Sequence, residues 1–212
     1  MSARAHVTNI ADAADVVDVA IVGAGPAGSW TAWSLARRGA HVALFDGSHP
    51  REKPCGGGVT GRALALVSEA LPGSALASVP ITSARFLDTA RARQCAVSLG
   101  EGSSPALVVA SRRIFDTWLL DAAREAGAEF IARRVVRVER AAAHFRVETD
   151  SGVFRARWLV GADGATSLVR RTFASPFRRE QLSIAAGFYA HGHDAAPSIA
   201  LELLTDLPGY LW

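Results

Sequence analysis

Residues 19–46 read VAIVGAGPAGSWTAWSLARRGAHVALFD, and the fold turns on them. An apolar strand runs into Gly23-Ala24-Gly25-Pro26-Ala27-Gly28, a helical pattern follows over about residues 27–38, and a second strand over residues 41–45 ends on Asp46. Strand, glycine turn, helix, strand and acid in that order suit a dinucleotide. Gly23 permits the tight turn, Gly25 has no Cβ to block a pyrophosphate, and Gly28 lets the helix pack closely on the sheet. Main-chain N–H groups where the helix begins, from Ala27 onward just past Pro26, face the phosphates together with the helix dipole. Leu35 and Trp30 are read as turned to the sheet, and Gly39 as the helix stop. A carboxylate at Asp46 can accept from both ribose hydroxyls and repels a 2′-phosphate, so the adenosine of FAD or NAD fits better than NADP.

Composition sets the outer bounds. At 212 residues the chain holds one large domain, or one domain and part of another, and half its residues are hydrophobic, enough for a sizeable core. The net charge of +3 comes from 23 basic and 20 acidic residues. Basic pairs such as Arg37-Arg38, Arg133-Arg134 and Arg170-Arg171 are scattered, as on solvated faces and not as on a nucleic-acid surface. Two cysteines, Cys55 and Cys95, with no secretory segment, point to a reducing, cytoplasmic setting. Asp12, Asp15 and Asp18 interrupt the N-terminal apolar stretch, which argues against a signal peptide or a membrane span there, and residues 1–15 are read as a loose leader. His191 and His193 would share one face of a strand as a metal pair does, but no third ligand is evident and no metal is assigned.

After Asp46 the chain turns rich in glycine and proline. Residues 47–61 hold Pro50, Pro54 and Cys55-Gly56-Gly57-Gly58, and three successive glycines can lie flat against a planar ligand and offer it N–H groups. Thr60 is placed to cap a helix over about residues 61–71. Leu107 to Ala110 reads as a strand, and Ser111 as the cap of a helix whose apolar face is Phe115, Leu119, Ala122 and Ala123. Arg112 falls in the first turn, away from that face, which by itself describes a solvated arginine. Residues 128–149 alternate as three short strands. A strand over residues 153–160 then delivers Gly161-Ala162-Asp163-Gly164, where Asp163 can accept from a ribose or from main-chain donors, and Ser167 opens a short helix.

Four segments, residues 46–58, 111–119, 161–171 and 208–212, resemble motifs of the geranylgeranyl reductase family, FAD-dependent enzymes related to aromatic hydroxylases and flavin halogenases. The resemblance implies an α/β fold: a Rossmann-like FAD-binding domain with a three-layer sandwich over residues 16–80 and 105–175, and the truncated start of a β-sheet substrate domain over residues 81–104 and 176–212. It implies that Arg112 contacts FAD, and that Arg51, Gly56, Gly57, Gly58, Asp163 and Gly164 belong to the cofactor site. The main chain of Val135 would lie against the adenine. Cys55 would lie by the flavin, where Arg51 and Lys53 favour a thiolate for a redox role; as a thiol it would instead be a proton donor. Tyr210 and Trp212 resemble residues of the substrate region, where aromatic walls suit an isoprenoid, and with Cys55 they are the catalytic candidates. The implied reaction saturates isolated C=C bonds of prenyl groups on a small-molecule or lipid substrate, with NADH, NADPH or another reductant as electron donor. Peripheral membrane contact would come through the substrate. The family's later Gly-Asp motif and the rest of its Tyr-x-Trp-x-Phe-Pro segment are not in this sequence. Two alternatives stay open: an aromatic monooxygenase or halogenase on the same fold, and a non-catalytic FAD-binding fragment.

Overall fold

The computed structural model describes residues 16–70, 76–100, 104–188, 197–205 and 207–212. The leader over residues 1–15 and the pair His191 and His193 lie outside the described residues. In chain order the elements are β1 (Val17–Val22), α1 (Pro26–Ala36), β2 (Val42–Phe45), β3 (Gly58–Thr60), α2 (Gly61–Val67), β4 (Val79–Pro80), β5 (Ser83–Asp88), β6 (Arg93–Ser98) and β7 (Leu107–Val109). They continue with α3 (Arg112–Glu125), β8 (Glu129–Ile131), β9 (Val135–Arg140), β10 (Phe145–Thr149), β11 (Val153–Gly161), α4 (Leu168–Phe173), β12 (Ser198–Leu203) and β13 (Tyr210–Leu211). By compactness the described residues form two units, the first from those between 16 and 51 and between 116 and 183, the second from those between 52 and 115 and between 184 and 212.

The first unit is built on a six-stranded sheet in the order β8-β2-β1-β11-β10-β9. Its parallel part pairs β1 with β2 and β11, and β2 with β8, while β11, β10 and β9 form an antiparallel meander. β1 and β2 are buried almost throughout, which is why they read as unbroken apolar runs and not as alternating strands. Val138 and Val147 of the meander pack with Ala20, Ala43 and Phe45 of the parallel strands, and the Phe154 ring meets Phe45 edge-on at 4.9 Å. This is the Rossmann-like α/β arrangement, with the meander as an added layer.

The sequence expectation for α1 needs one correction. Its buried residues are Gly28, Ser29, Ala32, Trp33 and Ala36, whereas Trp30 and Leu35 are half-buried. Trp30 stacks on Trp33 with ring centroids 4.4 Å apart. A helix lying close to a glycine turn seats small residues at the closest approach, here Gly28, Ser29, Ala32 and Ala36, and of its large side chains Trp33 is buried while Trp30 and Leu35 stay at the flanks.

The second unit carries a four-stranded sheet in the order β13-β12-β5-β6 and a three-stranded sheet in the order β3-β7-β4. β12 and β5 run parallel although 115 residues separate Ser198 from Ser83 in the chain, and all other pairs of this unit are antiparallel. Thr60 caps α2 by accepting from Ala63 N. Among the described residues no helix is long and apolar enough to cross a membrane.

Candidate functional site

The turn from β1 into α1 is closed by backbone against backbone. Gly23 has φ +102°, a conformation that L side chains rarely adopt, and a Cβ there would overlap the Ala162 carbonyl. A Cβ on Gly28 would overlap the Gly23 carbonyl. Gly25 differs: it is the N-cap of α1, with Pro26 following at the first helical position, and nothing lies within 4 Å of where its Cβ would be. First-turn N–H groups of a helix have no partner inside the helix. An open space beside such donors, kept free of any side chain, is a cradle that a pyrophosphate fits.

Asp46 stands at the end of β2 and is tied to the same turn. Its Oδ2 accepts from Ala24 N at 3.0 Å, and its Oδ1 accepts from Ser48 N at 2.8 Å and from Ser48 Oγ at 2.9 Å. Arg51 Nε donates to Ser48 Oγ at 3.2 Å, so a chain of hydrogen bonds runs from Arg51 through Ser48 to the carboxylate. Burial pushes the Asp46 carboxyl up, but the bonds from Ala24 and Ser48 and the charge of His49 outweigh it and hold the group below the usual carboxylate range. Ser48 was missed by sequence reading. The signal was there in Asp46-Gly47-Ser48, since an Asp side chain that accepts from the N–H two residues on makes an Asx turn. His49 was missed as well. Its Nε2 lies 3.8 Å from Asp116 Oδ2, and both side chains are buried.

Asp163 sits just past β11. Its Oδ2 accepts from Leu168 N at 2.6 Å and Val169 N at 3.3 Å, and its Oδ1 accepts from Ser167 Oγ. Ser167 in turn caps α4 by accepting from Arg170 N. The main-chain donors that sequence reading allowed for Asp163 are therefore present, supplied by the first turn of α4. Gly164 follows in the loop between them. Val135 packs its side chain against the core, and Val136 is the extra residue of a bulge, because Thr149 pairs with Val135 while Glu148 pairs with Arg137.

In the second unit the glycine loop is held at its far end by the pairing of β3 with β7 and by Ala110 N donating to Gly57 O at 2.9 Å. Cys55 is an exposed free thiol. Arg112 is half-buried at the start of α3 and not a freely solvated arginine. Its N–H donates to Glu52 Oε1 at 3.0 Å. The indole of Trp212 lies on the backbone of the loop: a Cβ on Gly56 would come within 2.7 Å of it, and one on Gly58 within 2.8 Å. Tyr210 is exposed on β13.

Residues 16–198 match the family model described as FAD binding domain. The chain belongs to this family. Its resemblance to the geranylgeranyl reductases extends well beyond the motifs: it is 35% identical over 154 residues to the geranylgeranyl diphosphate reductase of Rhodobacter capsulatus, covering 70% of this chain and 37% of that protein. It is 34% identical over 162 residues to digeranylgeranylglycerophospholipid reductase 1 of Methanopyrus kandleri, covering 71% of this chain and 40% of that protein. The chain thus spans about two fifths of the length of the curated relatives it matches. Among solved structures, the halogenase PltM in complex with phloroglucinol and FAD superposes with a TM-score of 0.61 at 22% identity, over 74% of this chain and 36% of that one. At that identity the likeness concerns the fold alone.

Proposed function

We propose that the chain binds FAD and forms the cofactor-binding front of an oxidoreductase of the geranylgeranyl reductase type, which reduces isolated C=C bonds of prenyl groups. The observation that carries the cofactor reading is the bond from Ala24 N to Asp46 beside the open position at Gly25, because it joins a ribose acid to a phosphate cradle. Support for the reductase type comes from the two relatives named as reductases and from the Pro54-Cys55-Gly56-Gly57-Gly58 loop.

In this reading the start of α1 takes the pyrophosphate, and Asp46 takes the adenosine ribose. A carboxylate offers about four lone-pair sites. Ala24 and Ser48 engage three of them, so we assign Asp46 one ribose hydroxyl and not both. Asp163 orders the turn at the end of β11, and the Val135 main chain lines the adenine. Arg112 adds a guanidinium suited to pyrophosphate or ribose oxygen. Bound FAD supplies hydride transfer to carbon, with NADH, NADPH or another reductant as the source of electrons. Cys55, Tyr210 and Trp212 are assigned to the reacting end, the thiol as a proton donor and the aromatic pair as walls for an isoprenoid. The substrate is a small-molecule or lipid isoprenoid, and membrane contact comes through it.

The test is purification of the 212-residue chain followed by FAD titration and addition of NADH or NADPH. Yellow protein that bleaches with reductant and adds two hydrogens to a prenyl lipid supports the proposal. Stoichiometric peroxide or a hydroxylated product would move the assignment to a monooxygenase. Bound FAD that no reductant bleaches would leave a binding fragment, and colourless protein would overturn the cofactor reading.

A further inference from the structure

We propose that Glu52 is a positioning residue: its carboxylate closes the N-terminus of α3 and thereby fixes Arg112 and the Cys55–Gly58 loop relative to each other. The inference rests on the FAD reading above for its functional consequence, but its geometry is independent of it.

Ser111, Arg112 and Arg113 all donate to Glu52. Ser111 Oγ donates to Oε2 at 2.6 Å, Arg112 N to Oε1 at 3.0 Å, and Arg113 N to Oε2 at 3.4 Å. Ser111 is the local cap of α3, but its single oxygen accepts from Ile114 N at 3.4 Å. The N–H groups of Arg112 and Arg113 are served instead from a residue about 60 positions earlier in the chain. A carboxylate is the best group for this place, since it meets both the exposed donors and the positive end of the helix dipole. Sequence reading missed the role because nothing local to Glu52 marks it.

The consequence follows from what lies on the other side of the loop. Gly57 and Gly58 are bound to Ala110 and Val109, immediately before α3. The span Lys53–Gly56 is therefore anchored at both ends to one short stretch of chain, residues 109–113. The ends of the span that carries Cys55, and with them the start of α3 at Arg112, cannot drift apart without breaking an anchor. Releasing Glu52 frees one end and leaves the other in place, which loosens the loop without dismantling the β3–β7 pairing.

The test uses the full chain in a Cys95→Ser background, so that Cys55 is the sole thiol, with Glu52→Ala and Glu52→Gln compared to the parent. Gln keeps an acceptor and loses the charge. The rate of Cys55 labelling by a disulfide reagent should rise about fivefold or more in the Ala variant and about twofold in the Gln variant. FAD dissociation constants should weaken in the same order, by about tenfold for Ala. Labelling rates and FAD affinity both unchanged, with only a lower Tm, would reduce Glu52 to a helix cap and overturn the proposal. If the parent fails to bind FAD, the cofactor reading falls while the labelling rates still decide the anchoring.

Discussion

Two glycine stretches, one in each unit, use the absence of a side chain in different ways. In the turn of the first unit, Gly23 and Gly28 are forced by backbone: the carbonyls of Ala162 and Gly23 occupy the space a Cβ would need. Only Gly25 faces open space. In the loop of the second unit, Gly57 likewise meets a carbonyl, that of Ala110, but Gly56 and Gly58 meet the indole of Trp212. Gly23 and Ala162 directly follow β1 and β11 and are bonded to Phe45 and Val22, so their backbone has little room to retreat, whereas a half-exposed side chain has two torsions with which to leave. The turn is thus a rigid mould with one vacant position, and the loop is a surface whose aromatic cover can move.

The largest effect expected is at Gly28. Adding a methyl group there drives it into the Gly23 carbonyl, and Gly28→Ala should cost about 3 kcal/mol, read as a drop in the urea midpoint. The matching change in the loop, Gly57→Ala, meets the Ala110 carbonyl at φ +71° and should cost about 2 kcal/mol. Equal tolerance at Gly28 and Gly56 would break the contrast between mould and surface.

Asp46 comes next. Asp46→Ala removes the acceptor for Ala24 and Ser48 along with the proposed ribose contact, and should weaken FAD binding by on the order of 1–3 kcal/mol. The pH dependence has a definite sign. Hydrogen bonds overcome burial to lower the folded-state pKa of Asp46, so its contribution to stability is complete above the unfolded value of about 3.9. That contribution is lost as pH falls from there through the lowered folded value. The stability gap between the wild type and Asp46→Asn, measured by urea unfolding, should stay constant from pH 7 to pH 5 and shrink below pH 4. A constant gap down to pH 2 would remove Asp46 from the network.

These residues also mark where the sequence was legible. Gly23, Gly25, Gly28 and Asp46 fall within one βαβ unit, whose strand, turn and helix signals are all local. The caps at Thr60, Ser111 and Ser167 were readable for the same reason. The side of α1 that faces inward was not, because Trp30, Ala32, Trp33, Leu35 and Ala36 make it apolar nearly all round and periodicity then has no direction to give. Glu52 on α3 and His49 beside Asp116 join positions about 60 or more residues apart, and no spacing rule reaches across such a gap. Arg112 shows the middle case: its place in the first turn was plain, while its half-burial depends on partners the local pattern does not name.

Gly25→Ala sharpens the comparison by separating ligand from fold. Apart from its chain neighbours nothing lies within 4 Å of the added methyl group, so stability should fall only by the N-cap preference for Gly over Ala, about 1 kcal/mol or less. A pyrophosphate seated in that space would meet the methyl group, and FAD affinity should fall about tenfold. A variant that loses stability but keeps its affinity would mean that Gly25 serves packing alone.

A small effect, on stability alone, is expected at Gly56. A methyl group there comes within 2.7 Å of the Trp212 indole, a contact that cannot persist. Yet the indole is half-exposed and can rotate away, so Gly56→Ala should cost only about 1 kcal/mol. The change should show more clearly in fluorescence than in stability. Lifting the ring from the loop exposes it to water, which red-shifts its emission, and Trp212→Phe in the same background should abolish the difference. Should Gly56→Ala cost as much as Gly28→Ala, Trp212 would be as immovable as the backbone of the turn, and the loop would have to be counted as a second mould.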